Sequence, residues 1–143
     1  MTETPLYHGE QIKELIPQRE PIIMIDAFYG ATDKECHTGL TVPFDNIFCK
    51  NSILEPIGIV EHIAQSASAF TGYIALTNDK PAPVGYIGEV KNFTCHRIIH
   101  AGEQLFTTIT TRTQVLNIMM IDAETKIDGE IVANCQMKIS IEN

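Results

Sequence analysis

The sequence predicts an α+β fold in which one antiparallel sheet wraps around one long central helix. Three observations carry that expectation. The segment from Pro56 to about Asn78 keeps helical spacing over its whole length, everything after Pro83 reads as strand, and the final stretch alternates apolar and polar residues at the two-residue period of a half-buried strand.

Taken in order, a short helix is expected over residues 9–15, ended by Pro17. Ile22-Ile23-Met24-Ile25 is a β-branched run bounded by Pro21 and Gly30 and reads as a buried strand. Residues 36–42 supply its antiparallel neighbour after a turn at 30–34. Between Pro43 and Glu55, Pro, Asp, Asn and Lys mix with isolated apolar residues, as in a structured loop. The long helix opens at Pro56, because the N–H that proline lacks would have had no partner at a first helical position. Val60, Ile63, Ala67, Phe70 and Ile74 recur as its core face. The small residues Gly58, Ala64, Ser66, Ala67, Ser68, Ala69 and Gly72 predict that other backbone encloses it at close range.

Strands follow over 84–98, over the threonine-rich stretch 104–114 after a turn at Ala101-Gly102-Glu103, and over its continuation 115–126. Asp128-Gly129 is a two-residue hairpin signal. In the last strand Ile131, Ala133, Cys135, Met137, Ile139 and Ile141 are expected on one face. Val132, Asn134, Gln136, Lys138 and Ser140 are expected on the other.

Composition bounds the partners. A chain of 143 residues, 44% apolar and 20% charged, suits one folded domain spanning 1–143. Eighteen acidic residues against ten Lys and Arg give a formal charge of -8, which argues against nucleic acid as a ligand. Cys36, Cys49, Cys95 and Cys135 stand far apart with no paired ligand spacing. They read as reduced, mostly buried thiols rather than a zinc site or a disulfide framework. The start, Met1-Thr2-Glu3-Thr4-Pro5, lacks the charged and apolar regions of a leader, and no apolar run approaches membrane-span length. The expectation is a soluble cytoplasmic protein with no metal and no cofactor.

Several motifs give this order a meaning. Leu15-Ile16-Pro17-Gln18-Arg19-Glu20-Pro21 leading into Ile22-Ile23-Met24-Ile25-Asp26 resembles the L-P-H-R-x-P-F-L-L-V-D stretch of the FabA/FabZ-type 3-hydroxyacyl-carrier-protein dehydratases. Glu61-His62-Ile63-Ala64-Gln65 resembles their helix motif E-A-x-A-Q. Gly85-Tyr86-Ile87 through Val90-Lys91-Asn92-Phe93, then Ala101-Gly102-Glu103-Gln104-Leu105, resembles their strand, crossover and P-G-D-Q-L turn. The resemblance runs from about Ile12 to Ile141 and implies the hotdog fold. It further implies a composite site across a two-fold dimer, where a loop histidine of one subunit meets the helix carboxylate of the other. Eliminating water from a 3-hydroxyacyl thioester needs a base at the α-carbon, an acid at the departing hydroxyl and donors for the thioester oxygen.

On that resemblance Glu61 is the candidate catalytic acid. It shares a helical stripe with Gly58, Gln65 and Ser68, and a carboxylate between Val60 and Ile63 is costly to bury unless neutral or paired. Its bland alternative is a structural carboxylate. Gln65 matches the motif glutamine that holds the carboxylate or a site water, with ordinary helix-to-loop bonding as the alternative. The family's loop histidine is absent, since counting back about fourteen positions from Glu61 reaches Ile47, and residues 45–51 contain no histidine. Gln18 occupies the P-H-R histidine position. Pro56 stands where the family has a glycine whose N–H serves the thioester, which leaves Ile57 or Gly58 to bind it.

The other histidines are weak substitutes. His62 points about 100° away from Glu61 and reads as a buried or interface histidine, His37 lies in a strand, and His8 reads as solvated. Cys49 reads as a buried thiol. Lys91, His96, Arg97 and His100 form the one basic stretch. By resemblance, Lys91 and Arg97 would greet an acyl carrier protein, with a solvated strand edge as the alternative.

The departures fit best the divergent dehydratase-like branch linked to aryl-polyene and pigment synthesis, some members of which pair with a more typical dehydratase. The expectation is a dehydratase-like protein of fatty-acid or polyene biosynthesis. It takes an acyl-carrier-protein or CoA thioester, as a homodimer or as the carboxylate-donating half of a heterodimer. The alternatives are a non-catalytic acyl-binding hotdog protein and a hotdog thioesterase that activates water with the same carboxylate.

Overall fold

Pro56 opens helix α1 (Pro56–Thr77), whose 22 residues form the axis of the molecule. The computed structural model describes residues 4–142. The first three residues, part of the stretch read as lacking a leader, lie outside the described residues. Ahead of α1 come β1 (Tyr7–His8), a 3-10 segment (Gly9–Glu14), β2 (Ala27–Ala31), β3 (Glu35–Thr41), β4 (Cys49–Lys50) and β5 (Ile53–Leu54). After it come β6 (Val84–Cys95), β7 (Ile99–His100), β8 (Gln104–Val115), β9 (Ile118–Ile127) and β10 (Glu130–Glu142). Seven strands pair antiparallel in the order β1-β2-β3-β8-β9-β10-β6, and β4, β5 and β7 make a second small sheet. The larger sheet packs β2, β3, β6 and β8 against α1, which is the hotdog arrangement expected from the sequence.

The inner face of α1 differs from the apolar stripe read in the sequence. Ile63, Ala67 and Phe70 are buried, but Val60 is only partly covered and Ile74 is exposed. Gly58, Ile59, His62, Gln65, Ser66, Ala69 and Gly72 complete the buried face instead. Polar groups sit inside because each finds a partner. Ser66 Oγ lies 2.7 Å from Thr38 Oγ1 and 2.8 Å from the His62 carbonyl. Burying each large apolar side chain contributes about 1.5–3 kcal/mol.

Close enclosure of the helix is literal at Gly72, where an added Cβ would stand 2.0 Å from the Leu15 carbonyl oxygen. Because the obstacle is backbone, neither side can turn away. Gly72→Ala is expected to cost about 3 kcal/mol or more, despite the better helix propensity of alanine. A urea-unfolding midpoint equal to that of the unmodified chain would contradict this packing.

Three further local expectations change. Residues 22–25 do not form a strand; they have no regular secondary structure, and β2 begins only at Ala27. The segment read as a loop before α1 contains the hairpin β4–β5. The strand read as continuous past 114 turns back at Leu116, whose φ of 55° sits in the left-handed region, so β8 and β9 are a hairpin pair. Asp128-Gly129 does turn as expected, with φ of 49° and 81°. In β10 the alternation holds from Ala133 onward. A register shift between Ile131 and Ala133 turns Val132 inward and leaves Ile131 exposed.

All four cysteines are free, Cys36 and Cys135 buried, and Cys49 only partly covered rather than buried as expected. No described helix is long and apolar enough to cross a membrane.

Candidate active site

The site is built on the segment that failed to become a strand. Its backbone bonds go to helix side chains instead of to a ladder. Gln65 Oε1 accepts from the Met24 N–H at 2.5 Å, and Gln65 Nε2 donates to the Ile22 carbonyl at 2.8 Å. His62 Nδ1 meets the Met24 carbonyl at 2.7 Å. Two side chains one turn apart on α1 therefore pin residues 22–24 to the helix.

The second N–H of Gln65 Nε2 donates to Glu61 Oε2 at 2.6 Å. Every hydrogen-bonding group of this amide is then used, which fixes both its orientation and that of the carboxylate. Gln65 is fully buried and does not line the cavity beside Glu61, so it holds the carboxylate and leaves no group for substrate. Glu61 itself is half-buried, more open in the single chain than its apolar helical neighbours suggest.

Glu61 opens onto a cavity of about 240 Å³ between α1, β6 and β10. Ala64, Ala67, Ser68 and Thr71 form the helix wall, Gly85, Tyr86 and Ile87 the β6 wall, and Ile139 and Ile141 the β10 wall, with Gln18 of the N-terminal segment completing the lining. Tyr86 interacts through its phenol with the Glu142 carboxylate, which raises its pKa and keeps it protonated. Among the described residues, no histidine lines this cavity.

Each histidine has another place. His62 is fully buried with Nε2 2.7 Å from Thr107 Oγ1, and burial lowers its pKa to about 4. His37 lies 3.0 Å from Thr108 Oγ1 and stacks on Phe106. His8 is exposed at the start of the 3-10 segment. His96 borders a separate groove of about 630 Å³ with Lys50, Pro56 and Arg97, and His100 is exposed on β7 with its backbone N–H donating to Glu103 Oε1 at 2.8 Å.

Neither backbone donor proposed for the thioester oxygen lines the Glu61 cavity. The Gly58 N–H is taken by the Glu55 carbonyl at 2.9 Å, and Gly58 itself is needed for packing, since a Cβ there would come within 2.6 Å of Phe48 Cβ. Ile57 is exposed in the first turn, where N–H groups lack intrahelical partners.

The basic stretch is also less free than it looks in the sequence. Arg97 makes a two-pronged contact with Glu103, at 3.1 and 2.6 Å, and that guanidinium brings the Glu103 carboxyl down to about 2. Lys91 remains half-exposed on β6, 3.7 Å from Glu89. Among the described residues, no group of three or more His, Cys, Asp and Glu is arranged to hold a metal.

Comparisons with known proteins follow the same lines. A family model described as ApeP-like, ApeP dehydratase, matches residues 10–142. The chain is 24% identical to the 3-hydroxyacyl-[acyl-carrier-protein] dehydratase FabZ of Burkholderia mallei, over 98% of this chain and 94% of that one. The FabZ of Burkholderia thailandensis is equally similar, over 98% and 91%. Among solved structures, the dehydratase heterocomplex ApeI:P from Xenorhabdus doucetiae superposes with a TM-score of 0.86 at 15% identity, covering 99% of this chain and 93% of that one. The PaaI protein of E. coli superposes with a TM-score of 0.62 at 14% identity, covering 79% and 80%.

Proposed function

The chain belongs to the ApeP-like dehydratase family, and from that membership we propose that it is the carboxylate-donating half of a hotdog dehydratase pair acting on 3-hydroxyacyl thioesters. One observation carries the reading: a braced helix carboxylate opens onto a cavity in which, among the described residues, there is no histidine to act as base. The base comes from a second hotdog chain. It takes the α-proton while Glu61 gives its proton to the 3-hydroxyl. The C–O bond breaks, water leaves and the double bond forms between the α- and β-carbons.

The Gln65 amide occupies Glu61 Oε2, so the transferable proton belongs on Oε1. The partner seats on β6, the longer of the two edge strands of the sheet. Its twelve residues carry the exposed apolar side chains Val84, Tyr86, Ile87 and Val90, an edge that soluble proteins ordinarily cover. Since Gly85, Tyr86 and Ile87 also wall the cavity, a chain seated on β6 reaches the Glu61 site. The Xenorhabdus neighbour, a dehydratase heterocomplex, supports a hotdog chain as that partner. Relatives named for acyl-carrier-protein substrates support a carrier-bound acyl group within fatty-acid or polyene biosynthesis. Lys91 is the exposed contact for the carrier, and Arg97 braces the turn at Glu103.

The test is to assay 3-hydroxyacyl thioester dehydration by the chain alone and with a histidine-bearing hotdog protein from the same gene neighbourhood. Turnover by the pair and none by either component is expected. Full activity in the lone chain, or release of free thiol instead of an enoyl product, would replace this reading with a self-sufficient dehydratase or a thioesterase.

A further inference from the structure

The cavity at Glu61 does not stand alone. A groove of about 550 Å³ lies at the C-terminal end of α1, and Thr71 and Ile141 line both spaces. One of these residues belongs to the helix and the other to β10, so the two spaces meet across the gap between those elements. Thr71 spends its hydroxyl on the Ser68 carbonyl at 3.0 Å and brings no free donor to the junction. Along the helix the two linings continue as one row. Glu61, Ala64, Ser68, Thr71, Ala75 and Asn78 follow at steps of three and four, which places them on one face. Between the ends of that row every side chain is small, and the helix leaves room beside it.

The groove has an apolar floor and a polar rim. Phe70 and Met119 are buried beneath it, while Asp33, Asn78, Lys80 and Gln114 at its edge are exposed. From Glu61 to Thr71 the helix rises about 15 Å, the length of roughly twelve carbon–carbon bonds in an extended chain. An acyl chain held with its third carbon at Glu61 and lying along the apolar Ile87, Ile139 and Ile141 therefore reaches the junction at about its fifteenth carbon. From the meeting of the two spaces, and resting on the dehydratase reading above, we infer that Thr71 and Ile141 are specificity-determining residues. They form the passage by which the distal end of a long acyl chain leaves the Glu61 cavity for the groove. Shorter chains end before the passage. Longer ones pass it and bury their additional methylenes against Phe70 and Met119, so affinity continues to rise with length.

The inference is tested by calorimetry on the assembled pair with decanoyl and octadecanoyl phosphopantetheine amides, each below its micelle concentration. Neither carries a 3-hydroxyl, so neither can lose water and binding is read without turnover. The unmodified pair is expected to bind the octadecanoyl ligand about tenfold or more tighter than the decanoyl one. Thr71→Phe and Ile141→Phe each place a ring in the passage and are expected to abolish that advantage while leaving decanoyl affinity unchanged. Decanoyl binding thereby reports the fold of each variant. Because Thr71 is only half-buried, its substitution keeps the test open if overpacking at the buried Ile141 disturbs the sheet. Equal affinity of the unmodified pair for the two ligands overturns the assignment, as does an octadecanoyl advantage that survives both substitutions. The dehydratase reading stands or falls separately, on turnover.

Discussion

Glu61→Gln is expected to lower turnover by the assembled pair by about a hundredfold or more, the range for losing a positioned general acid. The substitution changes little else. Its new side chain keeps an oxygen able to accept from Gln65 Nε2, so the bond now 2.6 Å long and the bracing of residues 22–24 remain available. What disappears is the transferable proton. If Glu61 acts only on the departing hydroxyl, the loss falls on kcat with KM little changed, because the amide still fills the same wall of the cavity. Circular dichroism and the thermal midpoint should match those of the unmodified pair, separating lost chemistry from lost fold. Turnover at the unmodified rate would remove Glu61 from the mechanism and leave the carboxylate as a brace for the N-terminal segment.

Much of this architecture is legible in local sequence. Pro56 and Asn78 bracket α1 because helix ends have strong local chemistry, and Asp128-Gly129 turns the β9–β10 hairpin because its backbone needs positive φ. The failures share one physical cause, which is partners distant in sequence. Ile22 to Ile25 has the composition of a strand, yet its backbone is satisfied by side chains about forty residues away on α1. The inner face of α1 was read from apolar periodicity and so left out Gln65 and Ser66, polar residues made tolerable by Met24 and Thr38, whereas His62, read as a buried or interface histidine, is buried against Met24 and Thr107.

At the site, motif spacing brings out Glu61 and Gln65, and the structure joins them by a hydrogen bond. Gln18 was visible only as a substitution for histidine, and its place in the lining of the Glu61 cavity depends on packing that no local pattern encodes. The Arg97 charge looked available because its partner Glu103 lies across a turn.

Acid is expected to destabilise the fold through His62 before any carboxylate contributes. Its Nδ1 faces a carbonyl and must carry the hydrogen, so Nε2 accepts from the Thr107 hydroxyl, whose oxygen lies 2.7 Å from Thr125 Oγ1. That network suits a neutral imidazole and offers no carboxylate to a charged one. Desolvation therefore lowers the pKa to about 4 from 6.5, against a smaller opposing effect of the Met24 carbonyl. The unfolded chain binds this proton first as pH falls. Stability from the neutral ring is complete above pH 6.5, declines below it and levels off near pH 4, for a total of about 3 kcal/mol.

The shifted carboxyls act lower down. Glu103, held at about 2 by Arg97 and the His100 N–H, adds to the loss only below its ordinary value, while Asp26, raised by burial, works in the opposite direction. Above about pH 5 the slope should therefore be largely that of His62. Urea-unfolding midpoints across this range should fall with pH in the unmodified chain and lie nearly flat, from a lower starting value, in His62→Gln. The same slope in both proteins would show that another group takes up the proton. Because His62 and Gln65 both bond to Met24, and Gln65 holds Glu61, protonating the imidazole loosens the support of the carboxylate before the chain unfolds.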